Sequence, residues 1–364
     1  MTTAVATLNP PKSPGFWSEA WVRFRRHRLS TLALAYVTLL AVVAITAPAI
    51  VGTKPIICKF QGSIYFPALG YYNAGWENPV FRTAGVYPDY ARELKNVDPD
   101  SWAVYPLVFQ DPYHRIRKDE RPGHPGNPWG VEGGPSLRNF FGTTNIGFDV
   151  FAQMVHGTQI AMSVGFVSMG IAAAIGIFVG ALAGYFGGWT DMLLSRLIEV
   201  VMCIPTLVLI LVLVAFLDNV TNWHLMAVIG CVRWTSIARL VRAEFIKLKE
   251  MEFVTAARAV GASPGRIMFR HMLRNALAPV LVPVSFGIAS AILIEASLSF
   301  LGFGASPPNP SWGSLLQAGQ NDIENMWWLI VFPGLAIFLT VLAFNLIGEG
   351  LQEATDPRLR QDSH

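Results

Sequence analysis

Few side chains in this sequence are placed to do chemistry. Arg233, Glu295 and Glu199 are ionisable groups set inside long, otherwise apolar runs. A charge at the centre of such a run is costly, roughly 2.5 to 3.5 kcal/mol on insertion scales, so each needs a partner or water. Counting about 1.5 Å per residue along a helix, Arg233 sits at a depth that either carboxylate can reach. Glu295 is the preferred partner, because Glu199 already has Arg196 three residues away on its own helix. The pattern fits either a permanent intramembrane ion pair or a charged wall of a polar path. Other chemistry is excluded by what is missing. No GxxxxGK(S/T) loop is present to cradle a phosphate, and no HExxH is present to hold zinc. His156, His224 and His271 stand apart, as do Cys58, Cys203 and Cys231, so neither a metal site nor a disulfide framework is expected. No catalytic residue is assigned.

The elements that must position these charges follow from composition. Of 364 residues, 52% are hydrophobic and only 14% charged, far below a soluble chain, so an integral membrane protein is expected. The net charge of +3 excludes a nucleic-acid-binding surface. Runs long enough to cross about 30 Å of hydrocarbon are Thr31 to Val51, Ile160 to Trp189, Met192 to Leu217, Asn222 to Val241, Ala276 to Phe303 and Met326 to Leu346. The first run is too long for the apolar region of a signal peptide and begins too far into the chain. Six spans place both termini on one side. The basic residues Arg23, Arg25, Arg26 and Arg28 precede the first span, and seven more lie between Val241 and Asn275, so that side is expected to be cytoplasmic.

The predicted organisation is a cytoplasmic segment 1–30, a span 31–51, an external insert with its lead-in 52–159, a transmembrane core 160–350 and a cytoplasmic tail 351–364. Within the core, Gly176, Gly180 and Gly184 continue a four-residue rhythm from Ala172, which predicts a face for close helix packing. Pro205 predicts a kink. The insert holds seven of the nine tyrosines, so it is expected to fold as a small cap, serving either a soluble partner and substrate entry or merely the outer ends of the spans. Its later part, Arg115 to Pro135, is expected to be an exposed loop. The polar loop 242–275 is patterned as two helices around Gly261, Ala262, Ser263 and Pro264, with small Ala256 and Ala257 allowing another surface to approach. It reads as a docking helix.

The Ala256-Ala257 to Gly261 pattern resembles the EAA loop of membrane subunits of binding-protein-dependent ABC importers, with Thr255 in place of the motif's Glu. His271-Met272-Leu273-Arg274-Asn275 is similar to that family's HxLPN, with Arg for Pro. Four more segments resemble the C-type permeases of the dipeptide, oligopeptide and nickel branch: GALAGYFGGWTD from Gly180, EASLSFLGFG from Glu295, PPNPSWG from Pro307 and the stretch Phe332 to Arg358. The likeness covers about Phe141 to Arg360 and the N-terminal basic stretch with its span. In GTTNIGFDV, Gly142 to Val150, Thr144 and Phe148 stand where the family has an acid and a base, so that turn is expected to lack an ion pair. Lys54 to Pro67 is similar to the branch that handles microcin C and larger peptides.

The resemblance implies an all-α type I permease of six spans in a bacterial inner membrane. It implies a homologous B-type permease as partner, two ABC ATPase subunits and an external substrate-binding protein. This chain would then be no enzyme and hold no cofactor, with ATP and Mg bound by the ATPases. The expected contacts to those ATPases are Ala256, Ala257, Gly261, Ala262 and Ser263. The cargo it implies is peptide; nickel or another small solute is the alternative, and an intramembrane enzyme a remote one.

Overall fold

The structure is a computed structural model that describes residues 16–113, 133–136, 139–305, 309–320 and 322–355. It is mostly helical. Helix α1 (Phe16–Arg26) is amphipathic and leads into α2 (Arg28–Ile50), whose first turn is capped by the His27 ring accepting from the Ser30 amide. The loop reading for Arg115 to Pro135 falls almost wholly outside the described residues.

Between α2 and the next long helix the chain folds on itself. Strands β1 (Ile57–Phe60), β2 (Ser63–Tyr65) and β3 (Trp102–Val104) form an antiparallel sheet in the order β2-β1-β3. Gln61 and Gly62 both take positive φ, 47° and 79°, the two-residue turn whose twist suits a tight hairpin. Short helices α3 (Val80–Thr83) and α4 (Tyr90–Val97) close over the sheet. Cys58, Phe60, Phe81, Val86, Tyr90 and Leu94 make a small core separate from the main one. Tyr90 donates to Glu77 at 2.9 Å, and Lys54 meets the same carboxylate at 3.1 Å. The aromatic content of this segment is therefore structural: it supplies a core that a mere connector would lack.

The long helices follow. Helix α5 (Val150–Phe186) is capped by Asp149 and stops at Gly187, where φ is +67°. Helices α6 (Gly188–Met202) and α7 (Thr206–Ala215) meet at an 81° bend, with Pro205 capping the second. Helix α8 (Asn222–Lys249) starts in a capping box made by Thr221 and His224. Helix α9 (Glu252–Ala259) is followed by one turn, α10 (Pro264–Arg266), a π-helical stretch Ile267–Met272, and α11 (Leu273–Phe300). Helices α12 (Trp312–Gly319) and α13 (Trp328–Thr355) complete the described chain.

Five of these helices are long and apolar enough to cross a membrane, and the bent pair α6–α7 makes a sixth if it counts as one span. They outrun the hydropathy windows. Helix α5 begins ten residues before Ile160, because Gln153, His156 and Gln159 are polar enough to break an apolar run yet fully compatible with helix.

Helices α5 and α8 pack most closely. A Cβ built on Gly176 would lie 2.8 Å from the Trp234 carbonyl, and one on Gly184 would lie 2.7 Å from that of Arg242. No side chain fits there, so the backbones touch directly and gain dispersion contacts that bulkier residues would forfeit. Helix α13 packs on α11 and α2, and the Ser30 hydroxyl donates to the Leu346 carbonyl at 2.6 Å.

Candidate functional site

Two regions at opposite ends of the helices carry the motifs. At the first end, α8 runs past its apolar part to Lys249, and the chain turns through Glu250 and Met251 into α9. One side chain, Val254, is fully buried and pins α9 to the bundle. Arg258 lies over the Tyr185 ring at the end of α5, 5.6 Å from its centroid. Helix α9 ends as its sequence requires. Gly261 has φ +76°, its amide donates to the Arg258 carbonyl at 2.9 Å, and the Ala262 amide donates to that of Ala257 at 3.0 Å. This paired closure satisfies the last carbonyls and needs a residue without a Cβ.

The expected contact residues divide by face. Ala256, Gly261 and Ser263 are exposed, whereas Ala257 and Ala262 are half-buried against the main core. Beside them an apolar tip is uncovered: Val260 is 84% exposed, and Met251, Phe253 and Phe269 are also open. Exposed apolar residues thus cluster around a small-residue helix end, an arrangement uncommon on a solvated loop. Nothing touches a Cβ built on Gly261, so its constraint is backbone conformation and not crowding within this chain.

The same end holds a contact that sequence reasoning missed. Asp191, at the start of α6, forms a two-pronged ion pair with Arg242 of α8; the Nη2 to Oδ2 arm measures 2.6 Å, and the Nε to Oδ1 arm completes the fork. Ser195 donates to Asp191 at 3.2 Å. The two partners lie 51 positions apart in sequence, and the GGWTD motif was the one available signal.

The intramembrane charges do not meet as the depths suggested. Glu295 is buried and accepts from the Ser299 hydroxyl at 2.7 Å and from Ser311, so hydroxyls and not Arg233 satisfy it. Glu199 pairs with Arg196 at 2.6 Å on the surface of α6. Arg233 makes no ion pair among the described residues, and its Nε is buried without a hydrogen-bond partner. Equal depth along two helices leaves their rotation free, and here Arg233 pairs with neither acid.

At the other end, the motifs quoted separately above come together. Ser311 caps α12 and binds Glu295, and a Cβ on Gly313 would lie 2.8 Å from the Ala296 Cα, so α12 seats directly on α11. Trp312 Nε1 donates to the Met154 carbonyl at 3.1 Å, and Trp328 Nε1 to that of Thr143 at 2.9 Å. The turn that lacks its acid and base is closed instead by the Thr144 amide donating to the Phe148 carbonyl at 2.8 Å. The folded insert is joined to this end. Tyr71 and Thr53 both donate to Asp111 at 2.8 Å, and His156 Nε2 donates to the Val51 carbonyl at 3.0 Å. Burial and the nearby Asp111 carboxylate push the Tyr71 phenol up. Burial also pushes the Cys58 thiol up to about 11, which makes it a packing residue. Two cavities of about 660 and 590 Å³ open here, and the walls of both include Tyr113, Asn309 and Pro310.

A family model described as "Binding-protein-dependent transport system inner membrane component" matches residues 176–361, which contain α6 to α13. The chain belongs to this family. A second model, "N-terminal TM domain of oligopeptide transport permease C", matches residues 15–61 of the permease. Residues 62–175, most of the insert and the first part of α5, fall between the two matches. The permease is 41% identical to the dipeptide transport system permease protein DppC of Alkalihalophilus pseudofirmus over 234 residues, 64% of this chain and 77% of that one. It is 37% identical to the glutathione transport system permease protein GsiD of Pectobacterium atrosepticum over 227 residues, 62% of this chain and 75% of that one. A chain of the MetNI methionine ABC transporter, solved in inward-facing conformations, is 18% identical with a TM-score of 0.43, covering 54% of this chain and 95% of that one. The permease is thus a multi-pass inner-membrane subunit of an ABC importer, and ATP is hydrolysed on separate subunits.

Proposed function

We propose that this permease forms half of a heterodimeric path that imports peptides, with α9 as the element that receives force from an ATPase subunit. The carrying observation is the exposed tip around Ala256, Val260, Gly261 and Ser263, on a helix tied to its own bundle by Val254 and by Arg258 over Tyr185. A docking helix joined by side chains to α5 moves with it as a unit, and the π-helical stretch Ile267–Met272 passes the same motion into α11. The peptide reading follows the names of the relatives, a dipeptide and a glutathione permease. Ala257 and Ala262 support the tip from beneath, where their small size lets α9 lie close to the core.

In this reading α6 and α7 count as one crossing, so the chain crosses six times. The basic residues flanking α2 and following α8 set both termini and α9 on the cytoplasmic side. The insert then lies outside, over the ends of α2 and α5, and the further subunits are a homologous permease, a pair of ATPases and a receptor protein. Arg233 belongs to the wall of the path, since an unpaired guanidinium in a spanning helix needs water or substrate.

Gly261→Asp and Ala256→Trp test the coupling role. Each variant should co-purify with the partner permease, yet peptide uptake and substrate-stimulated ATP hydrolysis should fall at least about tenfold, because an added side chain holds the ATPase away and Asp strains a positive φ. Normal coupling in both variants would remove α9 from the mechanism.

A further inference from the structure

The cavity beneath the insert has an unusual wall. It measures about 590 Å³ and lies among α2, α5, the start of α8 and the insert tyrosines Tyr71 and Tyr72. His156, Gln159 and Asn222 all line it, and each has a buried polar atom with no hydrogen-bond partner: Nδ1, Nε2 and Oδ1 respectively. Buried polar atoms are rarely left unpaired, and three of them belong to residues that line this one cavity.

The chemistry of that ligand can be read from the wall. His156 is 2% exposed, and its ring is held against Tyr71, with centroids 5.0 Å apart. Because the Val51 carbonyl can only accept, His156 Nε2 carries the proton of that bond, and Nδ1 is left as an acceptor. Gln159, one turn along the same helix, stands close enough to act on the His156 ring, while Nδ1 and Gln159 Nε2 have no hydrogen-bond partner among the described residues. An acceptor and a carboxamide three residues apart on one helix face, with a second carboxamide from α8 opposite, match a group that offers both N–H and C=O. Among the described residues no Lys, Arg, Asp or Glu lines the cavity, so there neither a phosphate nor a free carboxylate finds a counter-charge. The tyrosines and Trp223 supply apolar surface on either side of the polar row.

We propose that this cavity is a binding site for an uncharged amide, occupied by a backbone segment of peptide. The class of ligand rests on the peptide reading given above. Access is from the outer end, because the adjoining cavity of about 660 Å³ includes Tyr113, Asn309 and Pro310 in its wall as well and has, among the described residues, a single charged lining residue, Asp218. The insert thereby contributes directly to the site: its tyrosines roof the cavity and fix the His156 ring.

The test uses the complete importer in lipid nanodiscs and an alanine tripeptide carrying a photoreactive diazirine at its centre. In the wild type, crosslinks should map to residues 156–166 and 222–226 and be displaced by trialanine. Gln159→Leu and Asn222→Leu should each lower this labelling about tenfold and raise the KM for trialanine uptake by a similar factor, one hydrogen bond each, with the maximal rate and basal ATP hydrolysis within about twofold. Co-purification with the other subunits checks folding; where a leucine variant does not assemble, Ser163→Phe, which fills the cavity from its wall, carries the same prediction. Wild-type uptake of trialanine with no labelling in these segments, or with labelling equal in the variants, would overturn the site and leave the cavity to water. A photoreactive phospholipid that labels the same residues and resists trialanine would overturn it in favour of lipid. Labelling that follows the prediction in an importer that transports no peptide would instead refute the peptide reading and leave the amide site standing.

Discussion

The contact between α5 and α8 makes a quantitative demand on two glycines of the same helix. A Cβ on Gly180 would stand 2.8 Å from the Val241 Cβ and 3.1 Å from the Arg242 amide nitrogen, with the Ala238 carbonyl nearer still, whereas a Cβ on Gly170 would meet nothing within 4 Å. Optimal carbon–carbon contact is about 3.5 to 4.0 Å, so Gly180→Ala forces the two backbones apart by roughly 0.7 to 1 Å. Overpacking of this kind costs about 1 to 3 kcal/mol, and the gain in helix propensity returns about 0.5 to 1 kcal/mol. Gly170→Ala gains the propensity and meets no opposing contact. The two identical chemical changes should therefore differ by about 2 kcal/mol, on the order of 30-fold in the unfolding equilibrium. Reversible unfolding of the purified permease in mixed micelles with rising sodium dodecyl sulfate, followed by helical circular dichroism, measures this. A Gly180→Ala protein as stable as Gly170→Ala would show that the backbones do not touch at Gly180, and the packing argument for α5 and α8 would fall.

Two further outcomes are expected. Arg233→Met removes a half-buried guanidinium that has no ionic partner among the described residues, so thermal stability and assembly should be unchanged or higher while peptide uptake falls; loss of assembly would mean that Arg233 is held by an ion pair after all. Cys58 should resist alkylation: burial raises its thiol to about 11, so below that pH the protonated form dominates, and iodoacetamide at pH 8 should modify it at least about tenfold more slowly than an unfolded thiol. Labelling at the unfolded rate in the native protein would show that the small core of the insert is open.

Much of this molecule was legible from residue order, wherever the deciding physics is local or periodic. Apolar runs announce membrane helices because each must satisfy its own backbone hydrogen bonds within the segment. The four-residue rhythm of Gly176, Gly180 and Gly184 declares a close-packing face, although not that α8 is the helix lying on it. Gly261 declares the end of α9 and its positive φ. The exact ends of the spans were hidden, because hydropathy records how greasy a stretch is, and α5 and α8 continue as helices through polar residues.

What only the tertiary structure decided is rotation and long-range pairing. Depth along a helix can be counted from sequence, but the direction a side chain points depends on how the helix is turned by everything packed on it. For that reason Glu295 is bound to Ser299 and Ser311 and not to Arg233. For the same reason Asp191 and Arg242 meet across 51 residues, and Ala257 faces inward while Ala256 faces out. The cavity under the insert belongs to this class as well. His156 and Gln159 are ordinary helical residues until the fold of residues 52–113 roofs them with tyrosines and α8 brings Asn222 to the opposite wall.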